Sequence, residues 1–416
     1  MQGSRLALSS HMATPEGSDD KAPPPRSARL ILVTPAGAVL GSLPAIPVST
    51  PWWPDVEPVV SAVRERYGLT VTVLRLLEAE RPEPHGGMVT YLAEASEPVG
   101  AVAWRGELHP HPLRQRYAER GGPASDLVWA KSALLSLGMR PEGPPVQIRT
   151  WNLSSIWRIP THGETVWLKS VPPFFAHEAP LLSALSGQRV PTVLSCEAGR
   201  MLLREAPGED MHDASVSKCK EMVDLLIGLQ AMWRDRVDQL LSLGLPDWRG
   251  PALIPAIGEV VSRTASQLST EERAALTGFV EQLPARLAEI ASCGLPDTLA
   301  HGDFHPGNVR GDGHGLTLID WGDSGVGHPL LDQSAFFERQ PASTIAELKE
   351  FWSRRWLELC PRSNPTKAAD LIAPIAAARQ AVIYRRFLDN IEPAEHPYHQ
   401  ADPARWLRRT AALLRR

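Results

Sequence analysis

The sequence predicts an α+β protein in which a small mixed domain precedes a two-lobed unit, with a small β-rich lobe followed by a large helical lobe. Between residues 146 and about 205, short segments alternate apolar and polar residues as half-buried strands do. After residue 209 the apolar residues recur mostly with the helical period. Strand-like segments around one amphipathic helix also occupy residues 28–108. We therefore expect a cleft between the two lobes and a separate domain before them.

Length and charge fit this arrangement. The chain has 416 residues, enough for two or three domains, and 43 Lys plus Arg against 47 Asp plus Glu. A net charge of −4 argues against a nucleic-acid-binding protein. No window approaches 18 consecutive apolar residues, no secretory signal is evident, and the four cysteines form no CxxC pair. We expect a cytoplasmic protein without membrane or nucleic-acid partners, whose oligomeric state stays open.

The N-terminal segment is polar. Residues 1–27 contain SSHMATPEGSDDKAPPPRS, which has too little apolar surface to offset the entropy lost on ordering. We predict a disordered leader over 1–27, with residues 1–12 either native or an addition before a start at Met12.

Residues 28–108 are predicted to form a small mixed domain. ARLILVTP is an apolar strand, DVEPVVSAVRERYG is an amphipathic helix ending at Gly68, and LTVTVLRLLEAE and MVTYLAEA are further strands. This order, with a helix ending in RERYGL, resembles the Nudix hydrolase fold.

The resemblance does not extend to the Nudix catalytic residues. With Gly68 aligned to the last glycine of the Nudix box, the paired glutamates correspond to Glu65 and Arg66, and the preceding Arg-Glu to Ser61 and Ala62. A Nudix site needs several carboxylates to hold a divalent metal. We therefore expect a degenerate domain with a structural, docking or regulatory role.

The two-lobed unit follows a connector. Residues 109–145 contain one helix between Gly and Pro clusters. The small, nucleotide-binding lobe is predicted over 146–208, with two strand segments, a helix and a hairpin that turns at Gly199. The helical lobe is predicted over 209–416, and its helix STEERAALTGFVEQLPARLAEI begins with the capping box Ser269 to Glu272.

The most informative segment is LAHGDFHPGNVRGDGHGLTLIDWGDSGVGHPLLDQS, residues 299–334. Asn308 follows Asp303 by five residues in a Gly- and Pro-rich loop, and Asp320 follows the apolar strand LTLI, 17 residues after Asp303. Asn308 and Asp320 offer hard oxygen ligands that suit Mg²⁺ held jointly with substrate phosphates. Asp303 would then accept a proton from an attacking hydroxyl.

This segment is similar to the catalytic and metal-binding loops of protein kinases, HRDxxxxN and DFG. It resembles more closely the aminoglycoside phosphotransferase and choline kinase-like family, whose HGDxHxGN and IDW segments stand here as His301–Asn308 and Ile319–Trp321. The resemblance implies a bilobal protein-kinase-like phosphotransferase fold, with ATP or GTP as phosphoryl donor. It makes Asp303 the base or hydroxyl-orienting residue, and Asn308 and Asp320 the Mg²⁺ ligands.

The resemblance also implies roles for three neighbouring side chains. His301 braces the loop, and Asp332 in GHPLLDQS helps to fix it. His305 lies within the motif, and its role stays open. An accidental Gly-rich turn and a pseudokinase that has lost turnover are the alternative interpretations.

The small lobe offers candidates for nucleotide binding. Lys169 on the strand TVWLKSV and Glu178 at the start of the next helix have the order and spacing of the family's phosphate-binding Lys and its acidic partner. Ser154 and Ser155 stand at the turn where a phosphate-binding loop is expected, although that turn has no glycine. The base is expected against the lobe-connecting hinge, at the main chain of about Arg204 to Ala206.

The acceptor is less well defined. Residues 333–416 carry fourteen basic and nine acidic residues, which mildly disfavours a highly cationic substrate. Carboxylates could still line a pocket, and aromatic side chains could stack on a sugar or a heteroaromatic ring. The candidates are Asp323, Glu338, Asp389, Glu392, the pair Glu209–Asp210, Trp352, Trp356, Tyr384, Tyr398 and Trp406.

We therefore predict an ATP-dependent phosphotransferase that acts on a hydroxyl of a small molecule, an antibiotic or amino sugar. The alternatives are a kinase of a primary metabolite, such as a sugar or amino alcohol, and a nucleotide-binding pseudokinase scaffold.

Overall fold

A computed structural model describes residues 24–81, 85–96 and 101–415. The strands are β1 (Arg26–Val33), β2 (Val39–Val48), β3 (Val71–Ala79), β4 (Gly87–Ala95), β5 (Val146–Trp151), β6 (Ser154–Thr161), β7 (Glu164–Ser170), β8 (Val193–Glu197), β9 (Arg200–Arg204), β10 (Glu209–Asp210), β11 (Thr298–Ala300), β12 (Val309–Gly311), β13 (Leu316–Leu318) and β14 (Gly325–Gly327). The helices are α1 (Glu57–Tyr67), α2 (Gly122–Ser136), α3 (Glu178–Ala184), α4 (Val216–Ala231), α5 (Val237–Ser242), α6 (Gly250–Thr264), α7 (Thr270–Ser292), α8 (Gln333–Glu338), α9 (Ala342–Leu359), α10 (Pro365–Asn390) and α11 (Asp402–Leu414). The predicted α+β fold with a β-rich lobe and a helical lobe is confirmed.

The N-terminal domain is a four-stranded mixed sheet with one helix. The strand order is β2-β1-β4-β3, and β1 pairs antiparallel with β2 and parallel with β4. The buried valines of α1 pack in the core of this sheet. Gly68 ends α1 at φ 64°, a left-handed conformation that glycine adopts without a Cβ clash. The elements follow the predicted order, and the Nudix resemblance stays a prediction.

The boundary predicted for the leader is wrong by two residues, because β1 begins at Arg26 and includes Ser27. Arg26 is fully buried, and its guanidinium donates hydrogen bonds to the Trp52 carbonyl and the Tyr91 hydroxyl. These bonds replace the water that the charge loses on burial, and they fix Arg26 in the domain. The leader before residue 24 lies outside the described residues.

The small lobe is an antiparallel sheet in the order β5-β6-β7-β9-β8. Alternation along β7 gives its two faces different partners. Trp167 belongs to the main core that the two lobes share, whereas Val166 and Leu168 pack on the opposite face against Ala130 and Leu134 of α2. The connector helix therefore covers the back of the sheet and leaves the front for the cleft.

The N-terminal domain docks on the edge strand of this sheet. The Val56 N–H donates to the Ile148 carbonyl (3.0 Å), and the Thr150 N–H donates to the Pro54 carbonyl (3.1 Å). The Gln147 amide completes the contact by bonding both main-chain groups of Val73, at 2.9 and 2.7 Å. The edge of β5 is therefore satisfied by hydrogen bonds from another domain.

The helical lobe supports the loops that face the cleft. Short ladders, β10-β12-β13 and β11-β14, hold residues 298–327 between the helices. The capping box predicted for α7 is confirmed, with the Ser269 and Glu272 side chains each accepting the other's N–H. Across the described residues, no helix combines enough length and hydrophobicity to cross a lipid bilayer.

Candidate active site

The loop from His301 to Asn308 leaves β11 and returns into β12. The Asn308 side-chain amide donates to the Asp303 carbonyl (2.9 Å) and to Asp303 Oδ2 (3.2 Å), closing the loop on itself. Gly302 has φ 94°, and a Cβ at this position would collide with the carbonyl oxygen of Asp323. The glycine of this motif therefore allows the two loops of the site to lie in contact.

Two buried side chains hold the loop in place. The Asp332 carboxylate accepts the N–H groups of His301 (2.9 Å) and Gly302 (2.8 Å), and it also accepts the Gln230 amide (3.0 Å). His301 Nε2 lies 3.0 Å from the Ile319 carbonyl, immediately before Asp320. The loop is thus fastened both to the start of α8 and to the segment that carries Asp320.

Asp303 faces the cleft beside two basic groups. His305 Nε2 lies 3.4 Å from Asp303 Oδ2, and Arg339 Nη1 lies 3.7 Å from Asp303 Oδ1. Burial would raise the pKa of Asp303, but His305 and Arg339 together lower it well below its ordinary value. Asp303 is therefore ionised at neutral pH.

His305 is neutral at the same pH, because burial and Arg339 lower its pKa to about 4. Its Nδ1 accepts the Gly307 N–H (3.0 Å), so its proton is on Nε2, the nitrogen that faces Asp303.

Lys169 joins Asp320 to the small lobe. Its Nζ lies 2.7 Å from Glu178 Oε1 and 2.9 Å from Asp320 Oδ1. Burial alone would lower the pKa of Lys169, but Asp320 and Glu178 raise it above its ordinary value, so the ammonium stays charged. Glu178 also accepts the Trp321 N–H (3.2 Å).

Asp320 has a strained main chain. Its φ is 62°, and Ala198 is the other non-glycine residue with positive φ in the described part of the chain. Such conformations cost free energy and are concentrated at functional sites. The carboxylate of this residue borders the cleft.

The donor set beside Asp303 fits a magnesium ion. Asn308 Oδ1 is buried and has no hydrogen-bond partner among the described residues, because the amide nitrogen makes both bonds to Asp303. Within the described ranges no group of three or more His, Cys, Asp or Glu side chains could hold a metal by itself. A cation bound by Asn308 and Asp320 would complete its ligands with phosphate oxygens and water, as Mg²⁺ does at nucleotide sites.

The predicted phosphate-binding turn has its two serines in different settings. Ser154 borders the cleft and its hydroxyl accepts the Trp151 indole N–H (2.8 Å). The Ser155 hydroxyl is buried, with no partner among the described residues. The Asn152 N–H, at the tip of the turn, is bonded to the Glu395 carboxylate (3.0 Å).

The structure does not bring the predicted hinge residues, Arg204 and Ala206, into the cleft. The Arg204 N–H donates to the Thr192 carbonyl (2.9 Å), and the Ala206 carbonyl accepts from Arg310 (3.1 Å). Neither residue is among the described residues that border the cleft. The bond from Arg204 belongs to the predicted hairpin that turns at Gly199, which uses this N–H within the small lobe.

The cleft holds about 1190 Å³ of space between protein atoms, its open mouth included. Asp303, Asp320 and Lys169 lie at its inner end. Other described residues that border it come from the N-terminal domain, the β5–β6 turn and the last third of the helical lobe: Trp52, Trp53, Pro54, His85, Trp151, Leu153, Gln380, Ile383, Tyr384, Phe387, Tyr398 and His399. Sequence reasoning missed the N-terminal residues, because no local pattern links them to a motif 250 residues away.

Of the predicted acceptor residues, three reach the cleft, namely Asp323, Tyr384 and Tyr398. Burial, together with Asp303 and Asp320, raises the pKa of Asp323 to about 8. The tryptophans 352, 356 and 406 belong to the hydrophobic core instead. Four of the candidate carboxylates form ion pairs outside the cleft, Glu338 with Arg409, Asp389 with Arg263, Glu392 with Arg114 and Asp210 with Arg310.

Solved structures with similar folds include small-molecule kinases. A macrolide 2'-phosphotransferase from Brachybacterium faecium is 16% identical with a TM-score of 0.46, over 70% of this chain and 98% of its own. A choline kinase from Cryptosporidium parvum is 14% identical with a TM-score of 0.48, over 65% of this chain and 90% of its own. A thermostable mutant of an aminoglycoside phosphotransferase, in ternary complex with AMP-PNP and hygromycin B, is 16% identical with a TM-score of 0.46, over 69% and 97%.

A search of curated proteins found no match. The family comparison is decisive, because the model of the phosphotransferase enzyme family matches residues 145–362, about half of the chain. The match spans the small lobe and the whole segment that carries Asp303, Asn308 and Asp320. The chain therefore belongs to the phosphotransferase enzyme family.

Proposed function

We propose that this protein transfers the γ-phosphoryl group of ATP to a hydroxyl group of a small molecule. The observation that carries the proposal is the arrangement of charges in one cleft. Lys169 is held between Glu178 and Asp320, and Asp303 and Asn308 lie on the adjoining loop. A phosphate-binding cation, two oxygen ligands for a metal and a hydroxyl-orienting carboxylate are the parts that phosphoryl transfer requires.

Each residue has a separate role in this proposal. The ionised Asp303 orients the acceptor hydroxyl and receives its proton. The acceptor oxygen forms a bond to the γ-phosphorus while the bond from that phosphorus to the β–γ bridging oxygen breaks, which leaves ADP. Lys169 contacts the phosphates, and Glu178 keeps the ammonium in position. Positioning and electrostatic stabilisation supply most of the acceleration.

Asn308 and Asp320 would hold Mg²⁺, which supplies charge neutralisation for the phosphates when bound. The orphaned Oδ1 of Asn308 and the strained main chain of Asp320 support this assignment. GTP is the alternative donor, and Ser154 and Ser155 are the candidates for contact with the donor phosphates.

For the acceptor, we propose an antibiotic or an amino sugar. Phosphotransferases of macrolides and aminoglycosides and a choline kinase are among the proteins with similar folds. There are two alternatives, which an activity test separates. One is a kinase of a sugar or amino alcohol, and the other is a pseudokinase scaffold that only binds nucleotide.

The test is nucleotide consumption by the purified protein with Mg²⁺, measured for ATP and for GTP against macrolides, aminoglycosides, amino sugars, neutral sugars, aryl glycosides and choline. We expect at least one acceptor to stimulate consumption above an Asp303→Ala blank. Removal of a positioned acid–base group costs about 10²- to 10⁴-fold in rate, so we expect Asp303→Ala to lower transfer by at least about 100-fold.

Nucleotide binding provides the matched control. In calorimetric titrations with AMP-PNP and Mg²⁺, Asp303→Ala should bind within about threefold of the wild type, whereas Asp320→Ala should bind at least tenfold more weakly. Full turnover by Asp303→Ala would contradict the mechanism. Nucleotide binding without turnover across the panel would favour the pseudokinase scaffold.

A further inference from the structure

Aromatic rings form a continuous series of contacts along one side of the cleft, which we call the aromatic belt. Neighbouring ring centroids are 4.2 to 6.5 Å apart. In order of contact, the belt consists of Trp52, His85, Tyr398, Trp53, Trp151, His399 and Tyr384. Three parts of the chain that are far apart in sequence therefore supply one apolar wall.

The two N-terminal tryptophans of the belt are held by buried polar contacts. The Trp52 carbonyl accepts the Arg26 guanidinium (2.6 Å), and the Trp53 carbonyl accepts the Tyr91 hydroxyl (2.7 Å). The next residues, Pro54 to Val56, are the ones that pair with β5. The docking of the N-terminal domain thus fixes its aromatic residues at the cleft.

The sheet order places the belt away from the predicted hinge. Trp151 ends β5, the edge strand, whereas Arg204 ends β9, three strands further across the sheet. Between the belt and Asp303 the cleft is also bordered by Gln380, which lies on α10 of the helical lobe together with the belt residue Tyr384. This geometry favours the acceptor over the nucleotide base as the occupant of the belt.

The side chains that border the cleft indicate which kind of acceptor the belt would bind. The acidic residues among the described cleft residues are Asp303, Asp320 and Asp323, all at the inner end. Asp320 is already paired with Lys169. Arg149 also borders the cleft, and its charge is paired with Asp55 at 2.8 Å. A flat apolar ring would bury its face against the belt, which an aliphatic aminocyclitol cannot do.

We propose that the aromatic belt binds the acceptor, that the N-terminal domain completes this site through Trp52, and that the acceptor carries a flat ring beside its reactive hydroxyl. The acceptor assignment rests on the proposed phosphotransferase function, whereas the binding of a ring by the belt can be measured without turnover. The N-terminal domain then determines specificity for a reaction whose chemical groups all lie in the two lobes.

The experiment measures equilibrium binding to the full-length protein in the presence of AMP-PNP and Mg²⁺, so that no transfer occurs. The probes are phenyl β-glucoside, methyl β-glucoside and kanamycin, which share sugar hydroxyls and differ in ring and charge. We expect the phenyl glucoside to bind at least five times more tightly than the other two. Trp52→Ala should weaken phenyl glucoside binding by about five- to tenfold, the size expected for loss of one ring contact.

Two variants control for structural damage. Trp129→Ala removes a half-buried tryptophan of α2 that packs under Arg200, away from the cleft, and should leave binding within twofold. Trp52→Phe keeps an aromatic ring and should recover most of the affinity. All variants should bind AMP-PNP within twofold of the wild type.

Three results would overturn the proposal. They are equal binding of the two glucosides, tighter binding of kanamycin, and phenyl glucoside binding that Trp52→Ala leaves unchanged. Loss of AMP-PNP binding in Trp52→Ala would assign the belt to the nucleotide instead. These outcomes are separate from failure of the proposed function, which is the lack of nucleotide consumption above the Asp303→Ala blank.

Discussion

Lys169 lies between two carboxylates whose pKa values shift in opposite directions. Glu178 is almost fully buried, and burial raises its pKa, whereas Asp320 is partly accessible from the cleft and Lys169 lowers its pKa. The ammonium compensates both charges and can turn toward a phosphate while it remains bonded to Glu178. In the proposed function the same contact serves stability and nucleotide binding, and we expect mutation to separate these two contributions.

We predict that Lys169→Met loses at least 100-fold in kcat/KM for ATP and about 3 kcal/mol in free energy of unfolding. The stability loss follows because removal of one partner leaves a carboxylate buried without its counter-charge. Steady-state kinetics and urea unfolding measure the two effects. Lys131→Met, at an exposed position of α2, is the matched control.

The double variant Lys169→Met/Glu178→Gln separates the two contributions. It should regain most of the stability, because no uncompensated charge remains at position 178, while its activity stays low. Equal stability of the single and double variants would contradict this account of the buried pair.

At the scale of elements, the β5–β6 turn is fastened to the helical lobe. The Asn152 N–H donates to the Glu395 carboxylate, and the Asn152 side chain accepts the Glu392 N–H (3.1 Å). Tyr117 adds a bond to the Asn152 carbonyl (2.8 Å). Hydrogen bonds to residues that follow α10 thus fix the turn that is expected to cover the donor phosphates.

This fastening makes stability depend on pH. Burial raises the pKa of Glu395 to about 8, against about 4.5 for an ordinary glutamate. Between these values the folded protein retains a proton that the unfolded chain releases, so the contribution of Glu395 is complete below pH 4.5 and is lost as the pH rises through 8.

We predict that Glu395→Gln makes the free energy of unfolding less dependent on pH, because the amide still accepts the Asn152 N–H but cannot ionise. Between pH 5 and pH 8 the wild type should lose at least about 1 kcal/mol more free energy of unfolding than the variant. Urea unfolding at several pH values measures the difference, with the exposed Glu281→Gln as control. Parallel curves for wild type and Glu395→Gln would show that Glu395 ionises normally.

For the whole molecule, the interface between the N-terminal domain and β5 includes main-chain pairing, the Arg149–Asp55 ion pair and one buried amide. Gln147 satisfies both the N–H and the carbonyl of Val73 across this interface. Because both of these groups are buried, we expect the interface to couple the unfolding of the N-terminal domain to that of the two lobes.

We predict that the wild type unfolds in one calorimetric transition and that Gln147→Ala separates an earlier one for the N-terminal domain. Each buried main-chain group left unbonded costs about 1–3 kcal/mol. Gln239→Ala, at an exposed position of α5, should keep the single transition. A single transition in Gln147→Ala at the wild-type temperature would show that this amide does not couple the two parts.

The sequence by itself determined the main elements of the two lobes and the residues that we propose for the chemistry. Periodicity located the main strands and helices, and Asp303, Asn308 and Asp320 were recognisable because one short segment contains them all. The order and spacing of Lys169 and Glu178 were evident from the sequence, and the structure pairs the two at 2.7 Å. The contact of Lys169 with Asp320, 151 residues away, depends on how the two lobes pack.

Only the tertiary structure decided which distant segments complete the cleft. Trp52 and the Glu395 contact have no local signature, because each depends on packing between segments that are more than 200 residues apart. Tyr398 was one of several aromatic candidates, and only the fold shows that it borders the cleft. The bonds that Arg204 and Ala206 make to Thr192 and Arg310 were not predicted either, and the assignment of the hinge stays a prediction. Local pattern fixes the periodicity and chemistry of a segment, whereas packing free energy summed over the whole chain selects its neighbours.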